Sequence, residues 1–463
     1  MKVEAGGRHR RSAISVEGRA KPRGHYSPAI RAGDWVFLSG QLATDFVHGI
    51  APEAQVEPGL PYYADELQLQ SRYLLKQLAG TLQAAGGDLA RHTIRMWQWV
   101  VAPNQRWQEG DAWTGLSFQR YLDEWVRAIP TDRPASTAMG VRQLLCRGAV
   151  IEADLMARLP VANESRVAYD YPPDLPAPIA KYAPAIRQGD WVFTCGEVPV
   201  DWRGDFMTSG PRMGNPEELG SLAPQARVNP YHWYDVPIRR QTEYTLDKLQ
   251  RLVESIGTSF DRCVRAEVYL SHPREFYGMD EVWRRYFPNN PPARVVIPYM
   301  GLTGRGCKIE IALTLVMPSS SLKVQTIETD RAPRPTTWEP QAVRAGDLLF
   351  FSTQLAADEH GLAREVQRDP DWPFHDQLAK RQMRYVLQNI EAICEAAGTS
   401  LDNLVQRQCF YASFDDFAAS TEEWASHFPE APPASTTVEI GGPLQVPGCL
   451  FLLNLVGYVP GDS

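Results

Sequence analysis

Tyr26-Ser27-Pro28-Ala29-Ile30-Arg31-Ala32-Gly33-Asp34-Trp35-Val36-Phe37 recurs further along the chain as Tyr182-Ala183-Pro184-Ala185-Ile186-Arg187-Gln188-Gly189-Asp190-Trp191-Val192-Phe193. A weaker third version reads Trp338-Glu339-Pro340-Gln341-Ala342-Val343-Arg344-Ala345-Gly346-Asp347-Leu348-Leu349-Phe350. The Gly-Asp pair is a hairpin turn signal, and β-favouring apolar residues follow it. Each copy therefore opens with a β-hairpin whose second strand ends at Ser39-Gly40-Gln41, Cys195-Gly196-Glu197 or Ser352-Thr353-Gln354. A repeat of this period decides the fold before any single element does.

A second signature holds the same register. Gln70, Tyr73 and Leu75 match Gln241, Tyr244 and Leu246, then Gln382, Tyr385 and Leu387. A glycine lies 16 residues after each Gln, at Gly86, Gly257 and Gly398. Helical apolar spacing between them predicts a helix closed by a left-handed glycine. A strand follows (Arg265 to Leu270 in the middle copy), then a helix ending at Phe287-Pro288 or Phe428-Pro429, then a Pro-Ala segment and a final apolar strand.

The order β-β-α-β-α-β-β predicts an α+β unit, a mixed sheet carrying two helices on one face. The other face is partly apolar, and three units closing around a pseudo-threefold axis would bury it, an intramolecular pseudo-trimer. Boundaries by composition give a flexible leader at 1–21, domains at 22–160, 179–318 and 336–460, and linkers at 161–178 and 319–335. Insertions Asp45–Tyr63, Trp202–Val236 and Asp358–Phe374 follow the second strand of each copy. They read as lids or inter-domain arms, and the middle one, with His232, Trp233 and Tyr234, as either a lid or a packing arm.

Composition narrows the function classes. A chain of 463 residues with 44% hydrophobic and 22% charged residues is ordinary for a globular protein of about three domains. A net charge of −8 argues against a nucleic-acid partner. No apolar run is long enough for a membrane span, and the basic start lacks an apolar signal core. Seven scattered cysteines and nine histidines without ligand spacing predict no disulfide framework and no metal, and a reducing cytoplasm is the simplest home. Cys146, Cys195, Cys307 and Cys449 have no motif histidine and read as small buried hydrophobes.

The openings Tyr-Ser-Pro-Ala-Ile-Arg-Ala-Gly-Asp and Ser-Gly-Gln resemble the Rid family, also called YjgF or L-PSP, of reactive-intermediate deaminases. So do Pro292-Ala293-Arg294 and Gly306-Cys307-Lys308-Ile309-Glu310-Ile311. The resemblance covers nearly the whole chain three times over. It implies a chorismate-mutase-like fold, clefts between units, and cofactor-free hydrolysis of enamines or imines. It also implies roles: Arg294 grips a substrate carboxylate and Glu310 holds the attacking water. Tyr26, Tyr182 and Trp338 stand at a cleft-lining tyrosine position, beside Gly40 and Gly196. The first copy has Ser136 for the arginine but keeps Glu152; the third has Ser435 and Leu452.

Chemistry gives the same pair a rationale. Imine hydrolysis needs a carboxylate to take a proton from water, and arginine binds a carboxylate through a planar fork that serine lacks. Glu310 lies 16 residues beyond Arg294, and a hairpin turning at Gly304 and Gly306 would bring both to one mouth. Bland alternatives remain: Arg294 as a surface ion pair, Glu310 facing solvent, and the aromatics as packing at domain seams. The leading expectation is a C–N hydrolase acting on a small carboxylated substrate, 2-aminoacrylate-like or 2-aminomuconate-like, the latter fitting aromatic-compound breakdown. A non-enzymatic ligand-binding or interaction protein is the alternative, and C–O cleavage in a chorismate-like acid a third reading. Self-association of whole chains stays open.

Overall fold

The structure, a computed structural model, describes residues 11–102, 115–177, 182–201, 222–229, 231, 235–301, 306–373 and 375–461. His232, Trp233, Tyr234 and Gly304 lie outside the described residues, as does most of the middle insertion. One strand order occurs three times. In the first domain it runs Arg11–Ile14, Ala29–Ala32, Trp35–Leu42, Ile151–Arg158, Thr93–Val101, Ala135–Val141. The second runs Arg166–Ala168, Ala185–Gln188, Trp191–Thr194, Ile309–Val316, Cys263–Leu270, Ala293–Pro298. The third runs Val324–Ile327, Ala342–Ala345, Leu348–Phe351, Phe451–Tyr458, Leu404–Tyr411, Ala434–Glu439, and takes a further strand, Gln143–Leu144, from the first domain. The last two strands of each repeated order are parallel, and a helix (Gly115–Ala128, Phe276–Tyr286 or Phe417–His427) connects them.

Local chemistry explains the repeat. Gly33, Gly189 and Gly346 take φ of 60°, 58° and 57° in the two-residue hairpin loops, a region where a Cβ is costly. The repeated glutamine is a fastener. Gln241 donates to Gly306 O at 3.0 Å and accepts from Lys308 N at 2.7 Å, and Gln70 and Gln382 bond Gly148 and Gly448 in the same way. Each first helix is thereby tied to the loop entering the strand that carries Glu152, Glu310 or Leu452.

The leader and both linkers are not merely connecting chain. Arg11–Ile14, Arg166–Ala168 and Val324–Ile327 each add an edge strand to the hairpin that follows. These strands are short and largely exposed, so no buried alternation marks them in the sequence; main-chain pairing makes them. Arg11 also donates to Leu404 O and Ala431 O of the third domain, and Arg166 to the corresponding Thr93 O and Asp132 O of the first.

The inner faces of all three sheets share one apolar core. Trp35 packs edge-on against Trp191 with ring centroids 5.4 Å apart, and Trp191 against Phe350 at 6.1 Å. Through this core runs a buried polar chain. Arg95 pairs with Glu267 at 2.8 Å; Asn454 bonds Arg265, Glu267 and Gln408; Gln408 donates to Asp154 at 3.0 Å, and Thr436 donates to the same carboxyl. Every domain thus contacts both others through buried, hydrogen-bonded polar side chains.

Asp154 gives this core a pH signature. Burial raises its pKa to about 7. The folded state holds a proton that the unfolded chain releases near pH 4, so its contribution is full below that pH and is lost as pH rises towards 7, by about 1.4 kcal/mol per pH unit. Asp154→Asn should remove this slope. Urea midpoints of the two proteins, compared from pH 4.5 to 7, should show the wild type falling relative to the variant.

Candidate active clefts between the domains

The strand bearing Ser136, Arg294 or Ser435 in one domain meets the end of the hairpin strand in the next. Gly196 N donates to Ser136 O at 2.9 Å, Arg294 N to Ser352 Oγ at 3.2 Å, and Ser435 N to Ser39 Oγ at 2.7 Å. Three seams result: first to second domain, second to third, and third to first.

Strand parity separates Arg294 from Glu310. Arg294 pairs with Ala266 and Glu310 with Tyr269 on the same strand, Cys263–Leu270. Ala266 and Tyr269 are an odd number of residues apart and so point to opposite faces. Arg294 lies on the helix face against Phe276 and Trp283, and Glu310 on the inner face. The two are therefore not at one mouth, and the expected convergence within the middle copy is corrected: they serve different seams.

At the first-to-second seam, Glu310 presses on Gly196, where a Cβ would overlap Glu310 Oε1 and crowd Thr137. Burial, reinforced by the charge of Glu197, raises the Glu310 pKa well above the usual carboxylate value. Beside it lies a buried cluster invisible to motif reading. Lys248 Nζ sits 2.5 Å from Glu197 Oε2, Cys195 donates to Glu197 at 3.0 Å, and the linker's Tyr171 hydroxyl bonds the same carboxylate. The repeat held the signal: Glu197 stands where the other copies have Gln41 and Gln354, and Lys248 where they have Gln77 and Asn389. Burial also lifts the Cys195 thiol, as suits a packed rather than a nucleophilic cysteine, and raises Tyr182. The arginine position is Ser136, bonded to Gln98 at 2.9 Å.

At the second-to-third seam, Arg294 is fully buried, and its Nη2 bonds Asp280 at 2.7 Å and Glu339 at 2.6 Å. Glu339, not Trp338, takes the tyrosine place. Pro28 O, Pro184 O and Gln341 O accept equivalent bonds from Ser39 N, Cys195 N and Ser352 N, so Tyr26, Tyr182 and Glu339 correspond. One added residue in the third copy shifts Trp338 to the position of His25: Trp338 donates to Phe287 O and His25 bonds Phe428 O, both at 2.6 Å. A cavity of about 520 Å³ opens beside this seam, lined by Glu339, Thr353, Gln354 and Gln445 among others. The strand Phe451–Tyr458 carries Leu452 at the place of the acid, not a carboxylate.

At the third-to-first seam, Glu152 presses on Gly40 as Glu310 does on Gly196. Burial, with Asp154 next to it, raises the Glu152 pKa, and Thr437 N donates to the carboxylate. Tyr26 is partly exposed and its pKa is raised by burial and by the nearby charge of Glu152.

A three-sheet α+β chain whose polar clusters sit at domain seams is thus defined. The family model described as Endoribonuclease L-PSP matches residues 17–159, 229–317 and 329–448, and the chain belongs to that family. A RutC family protein of Pyrococcus horikoshii is 35% identical over 116 residues, 25% of this chain and 84% of that protein. The Reactive Intermediate Deaminase A of Arabidopsis thaliana chloroplasts is 28% identical over 127 residues, 27% of this chain and 63% of that protein. Among solved structures, RidA of an Antarctic Psychrobacter is 30% identical, with TM-score 0.25, over 29% of this chain and 99% of that one.

Removing Arg294 should leave Glu339 buried without its cation, while Asp280 keeps Arg284. Arg294→Ala is expected to lower unfolding stability by about 3–5 kcal/mol, and adding Glu339→Gln to recover part of it. Equilibrium urea unfolding of the single and double variants checks both.

Proposed function

We propose that the chain is a cofactor-independent deaminase that hydrolyses the enamine or imine form of a small carboxylated, unsaturated amino acid. The substrate is of the 2-aminoacrylate or 2-aminomuconate kind, the products are the oxo acid and ammonia, and the site lies between domains acting as an intramolecular pseudo-trimer. One observation carries this: Glu152 and Glu310 are buried carboxyls of raised pKa, each held against a glycine backbone at a seam. The name Reactive Intermediate Deaminase A, carried by a relative, supports the same chemistry.

Such a carboxyl holds its proton to higher pH than an ordinary one and so can act as a proton donor. It protonates the enamine carbon, giving an iminium and leaving the carboxylate. Water adds to the iminium carbon while that carboxylate takes one water proton. The carbinolamine hydroxyl then passes its proton to nitrogen, the C–N bond breaks, ammonia leaves and the C=O forms. Arg294 enters this scheme less readily than Glu310, since a substrate carboxylate would have to displace Glu339 from it.

A second reading, ligand binding without catalysis, is favoured at the second-to-third seam, where a cavity of about 520 Å³ opens beside Glu339 and the third domain has Leu452 at the place of the acid. Ammonia release from enzymatically generated 2-aminoacrylate and 2-aminomuconate decides between them. The deaminase reading expects release above the spontaneous rate, falling at alkaline pH as the donor ionises. Replacing both carboxyls, Glu152→Gln together with Glu310→Gln, should abolish turnover. Release no faster than in buffer, with either compound, leaves the binding reading.

A further inference from the structure

Arg407 is an arginine that no motif marks. It pairs in register with Ser435, as Ala266 pairs with Arg294 in the second domain. The two domains have therefore exchanged residues across one strand pair, Ala266/Arg294 against Arg407/Ser435. Paired residues share a sheet face, so the guanidinium stays on the helix side. It lies 4.3 Å from the ring centroid of Trp424, as that of Arg294 lies 5.0 Å from Trp283, the equivalent tryptophan. The arginine missing from position 435 has been supplied by the neighbouring strand.

The surroundings differ in charge. The two acids that neutralise Arg294 have no counterparts beside Arg407: Thr421 stands at the place of Asp280, and Tyr26 at that of Glu339. Arg407 is 3% exposed, and among the described residues it makes no ion pair. Its Nε donates to Ser435 Oγ at 3.0 Å, its Nη2 approaches Thr437 Oγ1 at 3.5 Å, and Nη1 is buried without a partner. A buried guanidinium without an anion is costly, and a bound carboxylate would relieve that cost. The Glu152 carboxyl accepts from the backbone of the same Thr437, and its Oε2 is also buried without a partner. The His25–Ser27 segment crosses this seam, with His25 on Phe428 O and Ser27 N on Pro433 O.

We propose that the third-to-first seam is the competent deaminase site, with Arg407 binding the substrate carboxylate and Glu152 carrying the proton and the water. This rests on the deaminase reading, and assigns that reaction to a seam whose arginine comes from an unexpected strand. The chemistry is that already written, with Glu152 as the carboxyl.

The test compares ammonia release by wild type, Arg407→Lys, Arg407→Ala and the double variant Arg407→Ala/Ser435→Arg, each checked for cooperative unfolding. Arg407→Lys keeps the buried stem and charge but loses the fork. A drop of roughly 30-fold or more in kcat/KM for both single variants, with substantial recovery in the double variant, is expected. Folded Arg407 variants with wild-type kcat/KM would overturn the assignment while leaving the deaminase reading standing. Should the wild type release no ammonia, that reading falls, and calorimetric titration with pyruvate then judges the carboxylate site alone. Binding lost in Arg407→Lys upholds it, and binding equal in both proteins, or absent from both, removes it.

Discussion

Strand alternation governs this molecule. The central strands of the three sheets alternate between a core shared by three domains and the face covered by their own helices. That parity decides what each polar residue can reach. It sends Glu152, Glu310 and Asp154 inward to the seams and the central core, and Arg294 and Arg407 outward beneath the helix tryptophans Trp283 and Trp424. The clefts exist because strand ends of neighbouring domains bring inward and outward residues of different copies together.

Much of the fold was legible because its signals are local and repeated. The Gly-Asp loops need a positive φ, the apolar spacing of the first helices needs a partner face, and the glutamine at positions 70, 241 and 382 performs one fastening task three times. The added edge strands were not legible. The four residues Arg11–Ile14, none of them buried, join the sheet by backbone pairing, and backbone hydrogen bonds leave no trace in side-chain pattern.

The site was half legible. Reading Arg294 and Glu310 together followed from their nearness in sequence, whereas register sets them on opposite faces. Trp338 was misplaced by one residue because Gln341 adds a position to the third copy, and only the bonds around Ser352 reveal it. Arg407 was hidden for a different reason: a motif specifies a position, while chemistry needs only a guanidinium in the right space, and an adjacent strand can furnish one. Glu197 and Lys248 were visible as departures within the repeat, since a Gln/Gln pair in the first copy becomes an ion pair in the second.

The third-to-first seam joins Ser39 to Ser435, groups 396 residues apart. Chain synthesis makes Ser39 long before Ser435, so this seam stays open until the third domain leaves the ribosome and docks. The first-to-second seam needs only the two earlier domains and can close before the third is made. Contacts of such long sequence separation are also the slowest to form. Any chain cut short before the third domain would carry a folded hairpin and Glu152 facing solvent, with no Arg407 above them. The order of the copies thus makes synthesis of the third copy a condition for closing that seam, a dependence that three separate chains would not have.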